Sequence, residues 1–214
     1  MAALRNSSAI SDDRLLTAAR ECLLAVGWRR TTMTDVARRA GVSRMSVYRR
    51  WPDMTALIGD LMTREWSTVG ADLTEREADP DARLIAEAVC EVAAQIRRGD
   101  LFRKIVEVDP ELLIPYLLVR RGRTQDAMLE AVTAAVRAGQ DGADVRSGDP
   151  ALLARSILLM AIGFVFSAPT MSDESVDETA LFGELRLALE SYLRRHPTKF
   201  LPRSAPPNTS RGPR

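Results

Sequence analysis

Between Val36 and Ser43 the chain reads VARRAGVS, which puts a helix stop and a helix start within a few residues of each other. Gly41 can take the left-handed conformation that ends a helix. The Ser43 hydroxyl can accept the free N–H groups that open the next one. Upstream, Thr32 and Asp35 stand three residues apart, a capping-box-like pair that starts the first of the two helices. Ala37 is small enough for the helices to approach closely, and Val36, Val42 and Val47 fall where the pair must pack on the rest of its domain. This is a helix-turn-helix pattern. The second helix, from Ser43 to about Arg50, leaves Arg44, Met45, Ser46, Tyr48 and Arg49 on or near its outer face. A helix of that size fits the DNA major groove, with its N-terminal residues against base edges.

Charge sets this segment apart. From Trp28 to Trp51 there are seven arginines (29, 30, 38, 39, 44, 49 and 50) against one acid, Asp35, a formal +6. The whole chain is only +1, so the remainder is at −5. A basic N-terminal region inside a neutral composition is the electrostatic footprint of a DNA binder. Arg29 and Arg30 follow a helix end, so phosphate contact and complementing the helix dipole are both open to them. Arg97 and Arg98 read as dipole partners.

The rest of the chain predicts helices throughout, an all-α fold. Aromatic residues are 5%, and no apolar–polar alternation is convincing, which excludes a β-rich architecture. Ser11 opens the first helix with Asp12 and Asp13 at its positive end, and Ile10 can staple onto Leu15. Leu15, Ala19, Leu23 and Val26 share a face, and Gly27 stops it. Pro52 and Asp53 open a fourth helix carrying Leu57, Ile58, Leu61, Met62 and Trp66. Apolar content thins over 67–79, although Val69 and Leu73 keep the period. Asp79-Pro80 predicts an N-cap and first-turn proline for a helix through Ile85, Val89, Val92 and Ile96. A short helix covers Leu101 to Val108. Asp109-Pro110 opens another, perturbed by Pro115, which runs through Met128, Leu129, Val132 and Val136 to Gly139, with a loop over 139–149. Residues 150–168 form a helix apolar almost all round in its second half. Residues 176–195 carry a Leu181/Leu185/Leu189 stripe that continues to Tyr192 and Leu193. The division is a three-helix DNA-binding domain with its linking helix (10–66), a larger helical domain (67–196) and a tail (197–214) disordered by composition.

Several function classes are excluded. The longest apolar run, Ile157 to Phe166, covers about half a bilayer core, so no membrane span is expected. Residues 1–10 are too short and polar for the core of a secretory signal, and the expected location is cytoplasmic. Cys22 and Cys90 sit far apart in apolar contexts and read as core residues. The one histidine, His196, reads as a helix-end partner, so neither metal nor cofactor is expected. A helical enzyme would need a catalytic set, and there is no Gly-rich phosphate loop, histidine pair or G-x-S-x-G. A helical adaptor that never touches DNA would leave the basic segment without a purpose.

Residues 11–66 resemble the N-terminal domain of tetracycline-repressor-type (TetR family) transcriptional regulators. The resemblance rests on the first helix with Leu23 and Gly27, then Thr32, VARRAGVS, VYRRWPD and Leu57. It implies that Thr32, Ser43 and Tyr48 contact phosphates, that Arg44, Met45 and Ser46 read bases, and that Arg49 serves either role. Trp51 is expected to pack under the recognition helix, with its indole N–H free for a phosphate. Met54 stands where the family often has a lysine, so that phosphate contact is missing or made by backbone. The rest of the chain matches the family's effector and dimerisation domain in length and helix rhythm. The resemblance implies a homodimer on an inverted-repeat double-stranded operator, acting as a repressor released by a small molecule. Methionines and aromatics suit varied apolar ligands. Trp66, Phe102, Tyr116, Met128, Met160 and Phe164 are the candidate ligand residues, with Met62 and Phe166 nearby in type, and Arg120 and Gln125 as further polar candidates. The last two long helices, 150–168 and 176–195, are the expected dimer interface.

Overall fold

The computed structural model describes the backbone of residues 11–74 and 80–195, and the side chains of 11–66 and 80–195. Among these it is all-α, and apart from one isolated bridge between Val145 and Arg194 it has no β-pairing. Helices α1 (Asp12–Val26), α2 (Met33–Ala40) and α3 (Arg44–Tyr48) form the N-terminal unit. Each is started by a hydroxyl. Ser11 accepts from Arg14 N–H, Thr32 from Asp35 N–H and Ser43 from Ser46 N–H. Leu15, Leu23, Val36 and Val47 are fully buried between them. Helix α4 (Met54–Thr74), opened by the Asp53 carboxylate on Ala56 N–H (2.8 Å), packs on α1 and continues into the larger domain.

In that domain α5 (Ala82–Arg98) is the central rod, in contact with α4, α9 (Pro150–Met171) and α10 (Glu178–Leu193). Helix α8 (Arg123–Asp141) packs on α4 and α9. Helix α6 (Asp100–Val108) leans back on α1. One apolar core runs from Leu15 in α1 to Leu193 in α10.

Several expectations are corrected. The N-cap of α5 is Asp81, whose carboxylate accepts Leu84 N–H at 2.7 Å, with Pro80 preceding it; Asp79 lies outside the described residues, as do Ile10, His196 and the tail. The segment after Asp109 is not one perturbed helix. It is a 3-10 turn (Pro110–Leu112), a short α7 (Ile114–Leu118) and then the separate α8. The break falls at Gly122, whose N–H donates to Gln125 Oε1 at 2.9 Å and so starts a new helix. Helix α8 also runs past Gly139 to Asp141. Asp109 caps nothing with its side chain.

The leucine stripe of α10 is not a free face. Leu185 and Leu189 are buried in their own chain, where α10 packs on α5 and α9. The exposed large apolar residues are Leu187 on α10 and Leu152, Leu159 and Met171 on α9. By length and composition, the 22-residue α9 is enough to cross a membrane, because the helix extends well beyond its longest apolar run. Here Leu153, Ala154, Ile157, Ala161 and Val165 of α9 face α5, α8 and α10, so it serves as a core helix with a second apolar face.

Candidate DNA-binding surface

The turn between α2 and α3 is built by backbone bonds that only a left-handed residue permits. Gly41 (φ 69°) donates to Arg38 O, and Val42 N–H reaches Ala37 O at 2.9 Å, the paired bonds that close a helix end. Thr32 and Asp35 form a full capping box, and the Thr32 hydroxyl donates to Asp35 Oδ2 at 2.6 Å. These bonds from the Thr32 side chain and backbone, with Arg38 beside them, hold the Asp35 carboxyl below its ordinary value. Ser43 caps α3 and also shares a 3.0 Å hydroxyl bond with Ser46.

The seven arginines of the basic segment divide into two groups. Arg29 pairs with Glu111 (2.6 Å), Arg38 with Asp35 (2.5 Å), Arg39 with Glu21 (3.2 Å) and Arg50 with Asp12. These four answer acids on the protein's own helices. Among the described residues, Arg30, Arg44 and Arg49 make no ion pair and are exposed. Met45 is 66% exposed and Tyr48 44%, large fractions for apolar and aromatic side chains, while Val47 between them is fully buried. Arg44, Met45, Tyr48 and Arg49, with Ser43 exposed beside them, therefore present a surface that the other described residues do not cover. Ser46 is half-buried against Ser43, and Thr32 stands exposed at the start of α2.

Trp51 departs from expectation. Its ring is buried under α3, but its indole N–H is not free for a phosphate: it donates to Asp60 Oδ2 at 2.5 Å. Nothing local in the sequence announces Asp60 as its partner, since the two lie nine residues apart across a helix break. Asp109 was missed for the same kind of reason. It is 2% exposed and accepts the Trp28 N–H at 2.6 Å, with Arg29 at 3.9 Å. Arg20 joins Glu65 of α4 (2.9 Å) to Asp100 of α6 (2.5 Å). Both ends of α6 are thus tied to the N-terminal unit.

The candidate ligand residues do not form one cluster. Trp66 and Phe102 meet edge to face (6.3 Å between centroids), and Phe102 meets Phe166 (5.4 Å). Phe164 instead faces Phe182 of α10 (6.2 Å). Tyr116 lies under the Arg120 guanidinium (5.0 Å), and its carbonyl accepts Gln125 Nε2 at 3.1 Å. Met128 on α8 and Met160 on α9 are half-buried. A groove of about 840 Å³ runs along α5 between α8 and α10, past Leu84, Ala88, Ala135, Phe182 and Arg186, and none of the six candidates lines it. Burial pushes both cysteine thiols up, that of Cys90 to about 11, so neither is set up for thiolate chemistry.

Residues 15–61 match the family described as bacterial regulatory proteins, tetR family. A full-length relative, an uncharacterized HTH-type transcriptional regulator of Mycobacterium tuberculosis, is 36% identical over 194 residues, 90% of this chain and 100% of that one. Among solved structures, SmeT, the repressor of the Stenotrophomonas maltophilia multidrug efflux pump SmeDEF, has a TM-score of 0.59 at 20% identity, covering 92% of this chain and 96% of that one. FadR from Bacillus subtilis, solved with stearoyl-CoA, has a TM-score of 0.60 at 15% identity, covering 86% and 100%. At such identities these two likenesses bear on the fold.

Proposed function

The chain belongs to the tetR family and is a helix-turn-helix transcriptional regulator, and from that premise we propose that it is a homodimeric repressor that leaves its operator when a mostly apolar small molecule enters the larger domain. The observation that carries the DNA-reading part is the division of the arginines. Arg44 and Arg49 flank an exposed Met45 and Tyr48 on a hydroxyl-capped helix, with no acid among the described residues paired to them. In this reading Arg44, Met45 and Ser46 meet base edges, and Thr32, Ser43, Tyr48 and Arg49 meet phosphates. Arg30 adds a further phosphate partner, whereas Arg29 is committed to Glu111.

The dimer forms through the outer faces of α9 and α10, with Leu152, Leu159 and Leu187 in place of the buried leucine stripe. Their exposure supports this, as does the open space around Gly163 and Gly183, where an added Cβ would meet nothing within 4 Å. Two recognition helices related by a two-fold axis read an inverted repeat.

For the effector, Trp66 and Phe102 are the better-supported residues, because they touch each other where α4 enters the larger domain and where α6 leans on α1. Met128, Met160, Phe164 and Tyr116 stay as secondary candidates on the surrounding helices. FadR is solved with stearoyl-CoA, a long apolar acyl chain on a charged nucleotide carrier, and SmeT with triclosan. A ligand that displaces α6 pulls on Arg20–Asp100 and Trp28–Asp109 together. A complete switch requires the ligand to prefer the released form by about 5.5 kcal/mol.

The test is selection of bound duplexes from random-sequence DNA, followed by titration across salt. Recovery of an inverted repeat whose binding weakens steeply with salt is the expected result, at about 0.9 in log–log slope per phosphate neutralised. Binding without symmetry or salt dependence would contradict the reading.

A further inference from the structure

The end of the recognition helix is joined to the larger domain through one carboxylate. Asp60, in the second turn of α4, gives Oδ2 to the Trp51 indole N–H (2.5 Å) and Oδ1 to the guanidinium of Arg123, the first residue of α8. Trp51 follows α3 by three residues, its N–H returning to Val47 O at 3.0 Å, and its ring is 4% exposed. Arg123 lies close against α4, since a Cβ on Gly59 would stand 3.3 Å from its Nη2. One turn further along α4, the hydroxyls of Thr63 and Thr124 lie 3.1 Å apart, so the first turn of α8 follows α4 at two successive polar points.

We propose that Asp60 is a positioning residue for DNA recognition, and that Arg123 is the handle by which the larger domain sets it. The proposal rests on the DNA-reading part of the proposed function and is independent of any effector. The two bonds at Asp60 differ in strength. The indole bond is part-buried and made to a charged acceptor, whereas Arg123 is 62% exposed and its pair is open to solvent and salt. Removing Arg123 therefore costs the fold little. It leaves the Asp60 carboxylate held from one side only, free to reorient together with the indole it carries. Because Trp51 is packed under α3, that reorientation reaches the helix that presents Arg44 and Tyr48. The elbow before α8, where α7 and its 3-10 turn lack side-chain N-caps, gives the first turn of α8 room to shift.

The experiment uses the full chain. The indole ¹H–¹⁵N resonance of Trp51 is assigned by loss in Trp51→Phe, then compared in unmodified, Arg123→Gln and Arg123→Lys proteins. Urea midpoints are recorded alongside affinity for a duplex selected by the unmodified protein. The expected result for Arg123→Gln is a shifted Trp51 resonance, an unchanged urea midpoint and a roughly five- to tenfold weaker affinity, at the low end of ordinary coupling between sites. Arg123→Lys should recover part of both. An unmoved Trp51 resonance with unchanged affinity would overturn the proposal, and so would an affinity loss matched by an equal loss of urea stability, which marks a purely structural role. If the unmodified protein selects no duplex, the DNA-binding reading falls, and the Trp51 resonance in Arg123→Gln still decides whether the bridge transmits.

Discussion

The N-terminal unit and the elbow from α6 to α8 are both made of short helices, yet they are held in opposite ways. In the unit, α1, α2 and α3 each begin on a hydroxyl that accepts a backbone N–H, and α2 ends on a left-handed glycine. In the elbow, α6, the 3-10 turn and α7 begin without any side-chain cap bond. Its last residues, Leu118 and Val119, are each 79% exposed. The unit's shape is specified locally, turn by turn. The elbow's shape is specified by what it touches: Asp100 by Arg20, Asp109 by Trp28 N–H, and Arg123 by Asp60. A reader built from local signals stays rigid, while a connector held by a few long-range polar contacts can yield. This is the division of labour that a ligand-controlled regulator needs.

The largest effect should come from reversing inside and outside on the last two helices. Leu185→Asp puts a carboxylate at a fully buried core position and should cost about 4 kcal/mol or more, visible as loss of cooperative urea unfolding. Leu159→Asp, at a 71% exposed site, should keep the fold and yield monomers in sedimentation. If Leu159→Asp stays dimeric, the interface lies elsewhere and α9's outer face needs another explanation.

At the seam between unit and elbow, Gly27→Ala meets two obstacles. The residue sits at φ 81°, and its new Cβ would lie 2.8 Å from Asp109 Oδ2. A loss of about 2–3 kcal/mol in urea stability is expected. A near-neutral result would show that Asp109 moves aside easily and that the seam is looser than its buried hydrogen bond implies.

Inside the unit the effects should be smaller and local. Thr32→Ala removes one cap and should cost about 1 kcal/mol. The pH behaviour sharpens this. Asp35 has a folded-state pKa below its unfolded value, so its contribution is fully present above the ordinary carboxylate range and is lost as pH falls through the lowered value. Since bonds from Thr32 are the leading cause, the Asp35 carboxyl of Thr32→Ala should titrate at higher pH than that of the unmodified protein, followed by NMR. Equal midpoints in both proteins would show that Thr32 is not what holds it down.

The same contrast explains what was legible in the sequence. Ser11, Gly27, Thr32, Gly41 and Ser43 each mark a boundary by a bond to a residue within a few positions, and the structure has a helix end at every one of them. The outward face of α3 followed from those boundaries and the burial of Val47. Asp109 has the look of a cap beside a proline, but its carboxylate serves Trp28, 81 residues away. Trp51's partner was hidden because Asp60 lies beyond a helix break, whereas the α8 start rests on a local bond from Gly122 N–H to Gln125 Oε1, which a glycine with no capping side chain does not announce. The α10 leucines show a further limit. A helical stripe tells which face is apolar, and only packing tells whether the chain itself or a second copy covers it.

The central claim is that α3 reads DNA with the side chains left exposed and without an ion pair among the described residues. The most direct measurement compares unmodified, Arg44→Ala and Tyr48→Phe proteins on a selected duplex and on its single-base variants. Arg44→Ala should lose about 1–3 kcal/mol and relax preference at one base position in each half-site, while Tyr48→Phe weakens all duplexes about equally. An Arg44→Ala protein with unchanged affinity and unchanged base preference would contradict the account.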